Sequence, residues 1–306
     1  MSATIDPSLP LERDVRRLLA AEIEGAIEAL GAVRVAPSSS IHAARKRFKK
    51  LRALLKLVRS GDEEFYAREN ARYRDLSRSL APAREATALV ETVDRFIAEY
   101  PRETGVLAGL RARLAERMPQ AGDPRLEWVI AKAVSTAEAG GAAAARFAAV
   151  SRPKDASQML ERGIEKTLRQ SVRALRAAEE HGGPDDFHEL RKQVKAHAAH
   201  LSLLADVWPK GGTRRRNAAE RLGSVLGDLN DLAVMQDLID KAEEPLGTDK
   251  EVATLGKLIR RKRKTLVRHA LTDARMLFDE RPKDVAERLA KSYRAAAEDA
   301  AGAASG

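Results

Sequence analysis

The sequence predicts an all-α protein built from two pseudo-symmetric halves, each a four-helix bundle. Three observations carry this reading. Apolar residues recur at three- and four-residue spacing, Ala, Leu, Arg, Glu and Lys are abundant, and runs of β-branched residues are absent. Proline and glycine cut that pattern into about ten helical segments with no convincing strand. The chain also repeats itself at one offset: His42 recurs as His188, and 188 − 42 = 146 also relates Arg45 to Arg191, Lys46 to Lys192 and Lys49 to Lys195.

Taken in order, Pro37 closes the N-terminal helical region. The segment IHAARKRFKKLRALLKLVR (Ile41 to Arg59) then forms a basic helix with Ser40 as its expected N-cap. The helix after it ends at LAPARE, around Pro82. Pro101, Pro119, Pro124 and Pro153 mark further boundaries, and the halves join near Ser151–Asp155. The turn Gly182-Gly183-Pro184 leads into FHELRKQVKAHAAHLSLL (Phe187 to Leu204), where Asp186 and Glu189 read as a capping-box pattern. Pro209-Lys210-Gly211-Gly212 opens the next helix, expected to end at LGDLND, the counterpart of LAPARE. The shared offset takes Leu80 to Leu226 and Glu85 to Asp231. Pro245 and Pro282 bound the last helices, and the tail at 295–306 is expected to fray. A period this long is a duplicated half-domain and not a solenoid.

Composition narrows the partners. The 306 residues include 55 Lys and Arg against 45 Asp and Glu, a net charge of +10, with a pI near 9.9. That balance suits a polyanion. The absence of cysteine excludes disulfides and thiolate metal sites. No segment approaches the roughly 20 apolar residues of a membrane span, and MSATIDPSLPLERD lacks the pattern of a signal peptide, so the expected location is the cytoplasm.

On a helical wheel Arg45, Lys46, Lys49, Arg52 and Lys56 share one face with His42, while Phe48, Leu51, Leu54, Leu55 and Val58 fall opposite. Like charges four apart cost a helix a few tenths of a kcal/mol per pair. No Asp or Glu between Ala29 and Gly61 relieves them. The second copy keeps His188, Arg191, Lys192 and Lys195 but has Ala196 and Ala198 where the first has Lys50 and Arg52. With the expected caps, both histidines fall in the first helical turn, where free N–H groups and the helix dipole favour an anion. Further cations stand at Arg214, Arg215, Arg216 and Arg221, and in the run Arg260–Lys264.

These two basic segments, LGDLNDLAVM and the closing LFDERPKDVAERLAKSYRA together resemble the CHAD family of histidine-containing α-helical domains. The resemblance covers residues 8–294, with halves of 8–150 and 151–294. It implies two four-helix bundles related by pseudo-twofold symmetry and binding of inorganic polyphosphate, with association with polyphosphate granules. Carried over by motif, the implied ligand-binding residues are His42, Arg45, Lys46, Lys49, Arg52, His188, Arg191, Lys192 and Lys195. Lys50, Lys56, Arg214, Arg215, Arg216 and Arg221 complete the candidate set.

Signatures of catalysis are nearly absent, so no enzymatic activity, cofactor or metal is expected. His188-Glu189-Leu190-Arg191-Lys192 begins like a zinc-protease HExxH motif but puts Lys192 at the second ligand position. Glu22-Ile23-Glu24 continues to Ala26 and fails the ExExK pattern of a triphosphatase. His197 and His200 read as core or interhelical histidines in preference to metal ligands. Two readings compete with a binding module: a polyphosphate-processing enzyme using a histidine, and a nucleic-acid binder. Single-strand binders add aromatic stacking platforms to a positive groove, and aromatics make up only 4% of this chain.

Overall fold

Prolines open most of the helices, because a first-turn residue needs no N–H partner and a fixed φ suits helix entry. The computed structural model describes residues 4–148, 153–241 and 246–305. Among these, the elements in order are α1 (Leu11–Gly31), α2 (Pro37–Val58), α3 (Glu63–Ser79), α4 (Ala81–Glu99), α5 (Thr104–Ala115), α6 (Pro124–Ala144), α7 (Pro153–Glu180), α8 (Pro184–Leu203), α9 (Pro209–Lys241), α10 (Asp249–Leu277) and α11 (Pro282–Ser305). Short 3-10 turns follow α1, α2 and α4, and the described residues contain no strand. Ser151 and Arg152 of the expected joint, and the Pro245 breaker, lie outside the described residues.

In the first half α1 packs on α2 and α6, and α3 packs on the same two helices. In the second half α7 packs on α8 and α11, and α9 packs on α8 and α10. The halves meet where α2 lies against α7 and α8, α4 against α9, and α5 against α10. One continuous apolar core runs through both, from Ile5 to Tyr293.

The repeat extends to helices whose sequences share little. Leu11, Val15, Leu18, Leu19, Ile23, Ala26 and Leu30 are buried in α1. Their positions in α7, one offset later (156 − 11 = 145), are Ala156, Leu160, Gly163, Ile164, Leu168, Ser171 and Leu175, all buried.

Three expectations change. The helix expected to end at LGDLND runs on to Lys241. Pro82 stands at the second residue of α4 and separates it from α3, whereas its counterpart Asp228 leaves α9 unbroken. Both basic helices begin earlier than expected, at Pro37 and Pro184. The tail from Ala295 to Ser305 has helical geometry as part of α11, in keeping with its alanine content.

Candidate anion-binding site

The early helix starts move both histidines away from the free N–H groups. Ser40 lies inside α2, where its N–H already bonds the Ala36 carbonyl. His42 is therefore in the second turn. In α8 the N-cap is Gly183, whose N–H is accepted by the Asp186 carboxylate at 3.0 Å. Asp186 closes the helix start as its third residue, and His188 follows it. Helix termini thus contribute little to the site, and side-chain cations make it.

Those cations come from both halves and converge on one cleft. α2 supplies Arg45 and Lys49, α8 supplies Arg191 and Lys195, and α4 adds Arg84. Lys49 is pushed down to about 8, first by burial among neighbouring atoms and then by Arg191, Arg45, Lys195 and Arg84. Its side chain still reaches solvent, so it stands among these cations at the surface and not within the core. Arg45 is held below the usual guanidinium range by burial, then by Arg84 and Arg191, with Glu85 opposing. Lys195 is lowered by burial and Arg191, against Asp231 and Glu220.

The local anchors differ between the repeats. Arg45 Nη1 donates to the Ser77 carbonyl in the last turn of α3, one of the carbonyls a helix end leaves open. Because α9 does not end there, Arg191 has no equivalent acceptor. Lys195 and Arg191 lie over Gly223 and Gly227 of α9, their atoms 3.7 Å and 3.9 Å from where a Cβ would stand, which is ordinary contact distance. Arg191 Nε is buried without a protein partner, as is Arg84 Nη1. Arg84 uses its other terminal nitrogen on Glu91 at 2.8 Å.

The histidines flank this cluster. His42 is exposed, and its pKa is lowered by partial burial, then by Arg84 and Lys49, against Glu91. His188 Nδ1 lies 2.6 Å from Asn230 Oδ1. Asn230 occupies the position of Arg84 in the second repeat (84 + 146 = 230). One histidine thus faces a cation and the other an amide.

Lys46 and Lys192 are exposed at the cleft's edges, and Lys192 also donates to Glu189. Arg52 hydrogen-bonds Asn70 at 3.0 Å, and Lys56 is lowered to about 8 by burial, Arg52 and Lys192. Lys50 turns away from the cleft: it pairs with the buried Glu22 of α1 at 3.0 Å, beside Arg47 at the same distance. Arg215 is also a structural group. It donates to His197 Nε2 at 3.1 Å, to Glu280 at 2.9 Å and to the Leu277 carbonyl at 2.7 Å. Arg214 and Arg221 fall about 160–180° from Gly223 on α9, so they face away from α8. Arg216 shares the Gly223 face and approaches Glu220 at 4.0 Å.

Of the acidic residues near the site, Asp231 pairs with Arg95 of α4 at 3.1 Å and steadies Arg191 and Lys195 at longer range. Asp228 is half-buried, and burial raises its pKa. In the Arg260–Lys264 run, Lys262 pairs with Glu99 and Arg263 caps the Gly182 carbonyl. No group of three or more His, Asp or Glu able to hold a metal occurs among the described residues.

The family model of the CHAD domain matches residues 11–240. The chain belongs to the CHAD family. Its fold is similar to the crystal structure of the CHAD domain from the plant Ricinus communis, with a TM-score of 0.59 at 17% identity, over 91% of this chain and 95% of that one. It is also similar to PptA from Streptomyces chartreusis, with a TM-score of 0.57 at 18% identity, over 89% of this chain and all of that one. No curated protein matches the chain by sequence. Both structural matches cover a larger share of the chain than the family-model match does. No helix among the described residues is long and apolar enough to cross a membrane.

Arg84 is the cleft residue that the helical wheel could not supply, since it lies on a different helix from either stripe. Its signal was positional: it sits within LAPARE, the segment that the repeat aligns with LGDLND.

Proposed function

We propose that this CHAD protein binds inorganic polyphosphate in the cleft between α2 and α8, without processing it. The observation that carries the reading is the convergence of Arg45, Lys49, Arg84, Arg191 and Lys195 from both repeats, with two guanidinium nitrogens buried and lacking a protein acceptor. Crowding like charges destabilises the free protein, and a chain of phosphates relieves that cost at every unit. Arginines give paired hydrogen bonds to phosphate oxygens, and lysines act as mobile point charges. CHAD domains are associated with polyphosphate-related proteins, which supports the same ligand. A protein that holds the polymer intact would also travel with polyphosphate granules in the cytoplasm. A base-reading role is disfavoured because Phe48, the aromatic residue of α2, is buried and stacked on Tyr73 in the core.

The test is a titration of the full chain with polyphosphate of defined length, in the presence of magnesium, with DNA and RNA as competitors. Saturable binding, an unchanged chain length and preference over nucleic acid are expected. Shortened chains or released phosphate would replace this reading with a processing enzyme. Displacement by nucleic acid at equal phosphate would replace it with a nucleic-acid binder.

A further inference from the structure

The cationic cleft does not end alike in the two repeats. Where α2 leaves the cleft, α2, α3, α7 and α8 enclose a pocket of about 210 Å³. Arg52, Lys56, Arg59, Lys166 and Lys192 line it, and no lining residue is acidic. Its wall at Gly163 is backbone packed on backbone, since an added Cβ there would lie 2.0 Å from the Leu57 carbonyl oxygen. Glu189 holds Lys192 at the rim and faces Lys56 electrostatically. Arg59 lies over the Tyr66 ring, 4.9 Å from its centre.

The second repeat has lost this pocket's chemistry. On the offset of 146, Arg52, Lys56 and Arg59 become Ala198, Ser202 and Ala205, and Tyr66 becomes Gly212. On the offset of 145 that matches α1 to α7, Lys166 corresponds to Ala21 and Thr167 to Glu22. Glu22 is the buried carboxylate paired with Arg47 and Lys50. Between α1 and α2, away from the cleft, the protein therefore supplies its own anion. Between α7 and α2 it leaves five cations around a space that no lining carboxylate fills.

We infer that this pocket takes the terminal phosphoryl group of a polyphosphate chain and so fixes which end of the cleft a chain end occupies. The inference rests on the proposed polyphosphate binding and adds direction to it. An internal unit of the chain offers two non-bridging oxygens and one negative charge. A terminal unit offers three, and like a phosphomonoester with a second pKa near 6 it carries close to two charges at pH 7. A pocket lined by five cations on four elements rewards that difference, whereas the open cleft treats every unit alike.

The test compares polyphosphate of one length with free ends against the same length with both ends blocked as phosphoramidates, using wild type, Lys166→Ala and Lys166→Glu. Lys166 is exposed on α7 and lies outside the α2–α8 cleft, so both variants should fold, which a melting curve checks. Wild type should bind the free-ended chain roughly tenfold more tightly, the size of one good charged contact. Lys166→Ala should shrink that ratio and Lys166→Glu abolish it, with the larger loss of affinity falling on the free-ended chain. Equal affinity of wild type for both chains would overturn chain-end recognition while leaving polyphosphate binding intact. A ratio that survives Lys166→Glu would overturn the pocket assignment. Displacement by orthophosphate at matched end concentration would make this a free-phosphate site. No binding of either chain would remove the proposed function itself.

Discussion

His200 gives its Nε2–H to the Ala53 carbonyl of α2 at 2.9 Å, tying the second repeat to the first inside the core. Burial holds its pKa down to about 4. His197, one turn away, accepts from Arg215 and is likewise held well below its ordinary value by burial. Both are neutral in the folded protein and take up a proton on unfolding below about pH 6.5. The unfolded state then binds more protons, so stability falls as pH drops from 6.5 towards 4. For His200 the difference of 6.5 − 4 = 2.5 pH units corresponds to roughly 3 kcal/mol. His200→Gln, which does not titrate, should flatten that fall in urea unfolding between pH 7 and 4.5. An unchanged pH slope would show that His200 is not the group being titrated. Lys49 and Lys56 carry the matching prediction for binding. Both sit near 8 in the free protein, and a bound polyanion must raise them again. Binding should therefore take up protons near pH 8–9, and affinity should fall as pH rises above 8. Lys49→Arg should weaken that dependence, because arginine stays charged throughout. Calorimetry in buffers of different ionisation enthalpy reads the uptake directly. Residue identity made His197 legible as a core group from its wheel position. A helical wheel cannot show that Glu22, twenty-eight residues earlier, reaches Lys50.

At the scale of elements, what the sequence exposed best was periodicity and what it hid was contact between helices. The apolar face of α2, from Phe48 through Val58, is buried as its spacing predicts. Ser40 is a good N-cap by type, yet Pro37 three residues earlier is a stronger entry signal, and α2 begins there. The break between α3 and α4 was legible from Pro82, but the same logic carried onto α9 by alignment failed, since Asp228 breaks nothing. The crossing of α2 and α7 was not legible at all. Gly163 in mid-helix reads as a mild weakness, and alanine there would ordinarily stabilise the helix by up to about 1 kcal/mol. The geometry reverses that sign, because the new Cβ would overlap the Leu57 carbonyl. Gly163→Ala should therefore destabilise the protein by about 2 kcal/mol, typical of overpacking in a rigid site. A denaturant midpoint that rises in this variant would mean that the two helices can separate without cost.

At the scale of the whole molecule the internal sequence repeat made the helical order readable, because two copies of one charge pattern lie at a single offset. It did not reveal that the two stripes share a cleft, since the angle between α2 and α8 is set by the buried contacts of both bundles. That shared cleft sets the expected response to salt. Arg45, Lys49, Arg84, Arg191 and Lys195 would each displace a condensed counterion from a bound phosphate chain. A flexible single strand of phosphates loses about 0.7 in the logarithmic slope for each phosphate neutralised. The five cleft cations predict a slope of roughly −3 to −4 for log affinity against log salt. The net charge of +10 adds long-range attraction that is screened over about 10 Å at 0.1 M salt, so it speeds encounter more than it steepens the slope. Arg191→Ala should lower affinity at every salt concentration and reduce the slope by nearly one contact. Lys50→Ala should leave the slope unchanged, because Lys50 is committed to Glu22. Titrations from 0.05 to about 0.5 M salt measure both. A flat dependence in wild type, or equal changes in the two variants, would mean that the ligand is held by something other than the cleft between the repeats.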